Sequence, residues 1–112
     1  AALVAENRRL AAPASLDGGI TSALQEDTLT HATPAADKAL AIVANLETTL
    51  AIEAMCAAQA YDMQPNASGK AAGTGALYRR IRTTIPLYRD DRPLNRMVET
   101  VRDLLRSTRP EF

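Results

Sequence analysis

The chain has 112 residues, 46% of them hydrophobic, and a formal net charge of zero, which excludes a disordered, strongly charged polymer. Aromatic residues are only 4%, with no Trp and one Phe, so any core must be built from Ala, Leu, Ile, Val and Met. Such a core buries little area per residue, at roughly 25 cal/mol of stabilisation per Å², and the chain is expected to need neighbours, either more polypeptide or further subunits.

Residues 1–10 mix apolar and charged side chains and predict the end of a helix or an extended arm. Pro13, Gly18 and Gly19 then interrupt regular structure. Ser22-Ala23-Leu24-Gln25 fits a capping box, with the Ser and Gln side chains satisfying each other's backbone donors. A short helical turn through Glu26 and Asp27 is expected to follow, since acids suit a first turn.

Thr33-Pro34 predicts a helix start, with Thr as N-cap and Pro at the first helical position. From there to Asp62 nothing breaks the helix. Ala36, Leu40, Val43, Leu46, Leu50, Ala54, Ala57 and Tyr61 recur at steps of three and four, and Ile42, Ile52 and Met55 widen the stripe. Ten Ala lie between Ala35 and Ala60, so neighbouring helices can approach closely. At 1.5 Å per residue such a helix is roughly 40 Å long and belongs within a bundle.

Residues 63–69 read as a connection through Pro65, Asn66 and Gly69. A helix resumes near Lys70 or Ala71, weakened by Gly73 and Gly75, and stops before Pro86. A last helix, capped by Asp91, carries Leu94, Met97, Val98, Val101, Leu104 and Leu105 on one face. Arg96/Glu99 and Asp103/Arg106 sit on its wetter side at i,i+3 spacing. No period-2 strand pattern occurs. The expected fold is all-α: a long Ala-rich central bundle helix with shorter C-terminal helices. The expected parts are residues 1–32 (loop and helical turn), 33–62 (bundle helix) and 63–112 (linker and C-terminal helices), pieces of one larger domain.

One cysteine, Cys56, leaves no internal disulfide, and no Cys/His cluster has metal-ligand spacing. The longest unbroken apolar run, residues 39–44, is six residues, while a span needs about 20. The expectation is therefore no metal, no membrane, and a cytoplasmic location. Between Tyr78 and Phe112 nine Arg face five acids. Their alternation on a helix points to solvated faces and ion pairs, not to nucleic acid. The chain opens on Ala1 with no Met, as expected of a fragment or a processed chain.

Several stretches carry a family resemblance. Residues 3–17, LVAENRRLAAPASLD, resemble the segment L-V-x-E-N-x-x-L-A-x-P-A-S-x-D of the aromatic amino-acid ammonia-lyase family, in its histidine-lyase branch. Residues 21–27, TSALQED, resemble T-S-A-N-Q-E-D. Residues 50–53, LAIE, and 57–60, AAQA, match stretches of the family's long helix, and residues 89–94, RDDRPL, resemble R-D-R-P-L with one extra Asp. The similarity runs in order over almost the whole chain.

The resemblance implies a segment near the C-terminus of a protein of about 500 residues, largely helical, tetrameric around a central bundle, with active sites assembled from several subunits. The implied activity is elimination of ammonia from histidine to give urocanate. The implied electrophile is a methylidene-imidazolone made from an Ala-Ser-Gly outside this chain; none is expected within it. Ala67-Ser68-Gly69 is the same tripeptide in the wrong place, after the long helix, and reads as a loop. The implied partners are the rest of the lyase polypeptide, sibling subunits of a homotetramer and a small amino-acid substrate. The segment alone is expected to be inactive.

Glu26, the Glu of Q-E-D, carries over as the catalytic and substrate-binding residue. A carboxylate suits a ring with N–H donors, because a charge-assisted hydrogen bond is stronger than a neutral one, and it can serve as a base if burial raises its pKa. On residue type alone Glu26 reads as a first-turn carboxylate serving backbone amides. Gln25 carries over as substrate-binding, with Gln25 and Asp27 also expected to shape the loop. Leu24 stands where the family has Asn, Thr28 where it has His, and Ala5 where many histidine lyases have Ser. A phenylalanine or tyrosine lyase, an aminomutase relative, or a non-catalytic helical oligomerisation module are the alternatives. His31 reads as a satisfied loop or interface residue rather than a catalyst, Cys56 as a small core residue, and Tyr61, Tyr78 and Tyr88 as bundle or interface residues.

Overall fold

A computed structural model describes residues 1–17, 19, 22–26, 29–65 and 69–107. Four α-helices and two short 3-10 turns follow one another: α1 (Ala2–Leu10), turns at Ala14–Asp17 and Ser22–Leu24, α2 (Ala32–Asp62), α3 (Ala72–Thr84) and α4 (Asn95–Ser107). The described residues are thus helical or irregular, as the periodicity predicts. They form two compact units, residues 1–46 and 47–112.

In the first unit Arg8 and Arg9 lie in the last turn of α1, where cations complement exposed carbonyls. Asn45 Nδ2 donates to Asn7 Oδ1 at 2.8 Å, and Lys38 Nζ donates to the Ala12 carbonyl at 3.0 Å. These two bonds hold α1 and the chain after it against the first half of α2.

In the second unit Ala51 and Met55 of α2, Ile85 after α3 and Val101 of α4 form the core. Leu94, Met97, Val98 and Leu105 pack on it, so the apolar face predicted for α4 is the face it buries. Two features of α4 differ from expectation. The helix begins at Asn95, and Val98 N–H donates to the Leu94 carbonyl at 2.9 Å. Asp91 is therefore too far upstream to cap it, because Pro93 biases the residue before it toward extended backbone. Arg106 donates its Nε to Glu47 of α2 at 2.8 Å, while Asp103 lies beside Arg102 and acts on Arg106 through its charge alone.

α2 starts two residues before the predicted Pro34 position. Ala35 N–H donates to the His31 carbonyl at 3.1 Å, and Pro34 fits inside the first turn, where N–H groups lack helical partners. The stripe read as the core seam is largely open: Leu40 is 70% exposed, with Val43, Leu46, Leu50 and Ile52 also exposed. What α2 buries is Ala51, Met55 and Ala58, a different strip of its surface. Cys56, expected in a core, is exposed, because it falls beside Ile52 on the helix surface, away from the buried strip. By length and composition α2 could cross a bilayer. Glu47 and Glu53 near its middle argue against that, since an ionised side chain there costs roughly 2.5–3.5 kcal/mol.

Candidate functional site

The sequence singles out Gln25 and Glu26, and the backbone around them is unusual. Ser22 and Ala23 have φ of 51° and 53°, and His31 has φ of 50°. These left-handed residues cost side-chain-bearing amino acids energy through Cβ crowding, and they bracket the two candidate site residues. A capping box needs an extended residue at its Ser, so Ser22 does not start a helix in the predicted way. The turn closes instead through Gln25 N–H donating to the Ser22 carbonyl at 3.0 Å. The helical turn ends at Leu24, and Glu26 follows in a bend. Both Gln25 and Glu26 have exposed side chains. Thr21, Asp27 and Thr28, also part of the motif reading, lie outside the described residues.

His31 immediately precedes α2. Its Nε2 is buried and has no hydrogen-bond partner among the described residues.

A second polar cluster joins the end of α2 to α3, and sequence reading missed it. Tyr78 donates its hydroxyl to Asp62 Oδ1, and Arg82 donates Nε to Asp62 Oδ2 at 2.6 Å. Arg82 also reaches the Ile85 carbonyl at 3.2 Å and Gln59 Oε1 at 3.4 Å, while Gln59 Nε2 donates to the Tyr88 carbonyl at 2.5 Å. The hydrogen bond from Tyr78, then the Arg82 charge, hold the Asp62 carboxyl below its ordinary range, and the same bond raises the Tyr78 phenol. The available signal was the i,i+4 spacing of Tyr78 and Arg82, which puts both on one face of α3.

Lys70 straps this cluster from outside. Its Nζ lies 3.5 Å from the Tyr61 ring centre and 4.0 Å from that of Tyr78, a double cation–π contact. Gly75 lets it approach: a Cβ there would meet Lys70 Cβ at 3.3 Å. The strap borders a groove of about 390 Å³ floored by Ala54, Ala57, Ala58, Leu77 and Ile81. The cluster fastens helices together, with its charges already paired.

The described residues form an all-helical segment built on one long helix, α2. The family description "Aromatic amino acid lyase" matches residues 1–83, and the chain belongs to that family. It is 46% identical over 106 residues to a histidine ammonia-lyase of Natranaerobius thermophilus, covering 94% of this chain and 20% of that protein. To the histidine ammonia-lyase of Deinococcus radiodurans it is 46% identical over 92 residues, 82% of this chain and 17% of the other. The crystal structure of histidine ammonia-lyase from Trypanosoma cruzi superposes with a TM-score of 0.83 at 36% identity, over 95% of this chain and 21% of that one. The chain thus spans about one fifth of the length of these relatives.

The family's methylidene-imidazolone forms from an Ala-Ser-Gly. Of the local copy, Ala67 and Ser68 lie outside the described residues, as does Asn66. Gly69 is exposed, and a Cβ on it would meet nothing within 4 Å.

Proposed function

We propose that this chain is the C-terminal part of an ammonia-lyase that removes ammonia from histidine to give urocanate. The observation that carries this reading is the exposed Gln25-Glu26 pair just after the left-handed Ser22 and Ala23, in a chain aligned with a histidine ammonia-lyase over 94% of its length. Strained backbone persists where the surroundings hold it, and it concentrates at ligand sites.

In this reading the reaction breaks the Cα–N bond of the amino acid and removes a proton from its β-carbon. The Glu26 carboxylate accepts a hydrogen bond from the substrate's imidazole N–H and orients the ring, and it is placed to take part in proton transfer. Gln25 adds a neutral amide beside it. The family's electrophile would come from polypeptide outside these residues.

The exposed seam residues Leu40, Val43, Leu46 and Leu50 of α2 support assembly with the rest of the polypeptide and sibling subunits, in keeping with a homotetramer. Exposed apolar residues at helical spacing suit an interaction face. The same stripe favours, as a second reading, a helical oligomerisation module without catalysis.

The deciding experiment compares the isolated 112 residues with the polypeptide that continues them N-terminally. The longer protein is expected to release ammonia from histidine and the short chain none. Ammonia release by the short chain, or by neither, overturns the proposal.

A further inference from the structure

His31 combines two unfavourable features that α2 does not require. Its φ is 50°, and its Nε2 is buried without a partner. A buried imidazole nitrogen with no partner forfeits the hydrogen bond it made to water. The helix uses only its carbonyl, which accepts Ala35 N–H at 3.1 Å, and any residue supplies a carbonyl. Gly or Asn holds a left-handed φ with less strain and leaves no ring nitrogen to satisfy. The imidazole is thus a cost to the local fold. The other buried orphan among the described residues, Arg102 Nε, lies 3.5 Å from Asp103 Oδ1, so its charge is already met.

We infer that His31 is a third polar residue of the amino-acid site, its Nε2 held for a polar group of the bound substrate. His31 lies five residues after Glu26 in sequence and immediately precedes α2. A ring nitrogen can donate to a carboxylate or accept from an ammonium, according to tautomer, and an amino-acid substrate offers both. This inference rests on the proposed lyase reading. His31 would act by binding and orienting the substrate; no bond is made or broken at it.

The test uses the full lyase polypeptide containing this chain, assayed for ammonia release from histidine, phenylalanine and tyrosine. H31N keeps a residue that tolerates left-handed backbone while removing Nε2. H31Q returns a polar amide toward that position. H31N is expected to raise KM by about tenfold or more, with a smaller change in kcat, since a lost substrate hydrogen bond removes binding. Its melting temperature without substrate should equal or exceed that of the parent, while the rise produced by saturating substrate should shrink. H31Q should recover part of the KM. Parent-like KM and kcat in H31N overturn the inference. So does a lowered melting temperature with unchanged kinetics, which would give the ring a partner in the polypeptide. A parent protein inactive on all three amino acids sinks the lyase reading itself, and the role of His31 with it.

Discussion

Arg82 donates its Nε to Asp62 at 2.6 Å, and both side chains are mostly covered, at 14% and 16% exposed. Asp62 is the last residue of α2, while Arg82 lies in the last turn of α3. One ion pair therefore ties the ends of two helices. Replacing the carboxylate by an amide leaves a covered guanidinium with neutral partners alone, among them the Ile85 carbonyl, Gln59 and the Tyr78 ring. Asp62→Asn is expected to destabilise by about 1–3 kcal/mol, between the values for exposed and fully buried pairs. Urea unfolding of the full polypeptide checks this; an unchanged midpoint contradicts it.

The same cluster predicts pH dependence at both ends. Asp62 has a folded pKa below its ordinary 3.8, owing first to the Tyr78 hydrogen bond and then to Arg82. Its contribution is fully present above that value and is lost as pH falls through the folded pKa. Tyr78 has a folded pKa above its ordinary 10.0 through the Asp62 bond. Its contribution is present below 10.0 and is lost as pH rises through the folded value. Asp62→Asn should weaken both dependences, and tyrosinate absorbance should show one late-titrating phenol that moves earlier in the variant.

Lys70 is exposed, yet its ammonium faces two rings. Lys70→Gln removes the cation and most of the contact with Tyr61 and Tyr78. The expected loss is about 1 kcal/mol, from contacts worth roughly 0.5–1 kcal/mol each at open sites. Urea unfolding of the same longer polypeptide reports the change. An unchanged midpoint would show that the strap contributes nothing.

Val101 is fully buried and Leu40 is 70% exposed, so replacing each should have different consequences. Val101→Ala should cost about 2 kcal/mol from two buried methyl groups plus a cavity. Leu40→Glu should leave helicity by circular dichroism intact while disrupting assembly of the full polypeptide, seen by light scattering. Normal assembly of Leu40→Glu would remove the α2 stripe from the proposed interface.

Helices were legible because their signals are local. Unbroken Ala-rich sequence up to Asp62 specified α2, and the Leu94–Leu105 pattern specified the buried face of α4. What lay beyond reach was which apolar strip finds a partner. Ala51, Met55 and Ala58 are covered by residues distant in sequence, while the more regular stripe through Leu40 and Leu46 is not. The Asp62 cluster escaped for the same reason, since its members come from two helices. At the candidate site, Gln25 and Glu26 were visible only through family resemblance. The left-handed turn around them has no signature, because Ser22, Ala23 and His31 are not residues that favour it as Gly does. The side-chain surroundings of Glu26 in an assembled lyase would come from polypeptide outside these residues.

The most direct test of the central claim is the ammonia-release rate of the full polypeptide on histidine, with Glu26 intact and as Glu26→Gln. The parent should produce ammonia and urocanate together. E26Q should lose about 100-fold or more in kcat, the scale of an acid–base or charge-assisted orienting group, with its assembly unchanged. An active parent whose E26Q variant stays within about twofold, well under 1 kcal/mol, would contradict the role assigned to Glu26.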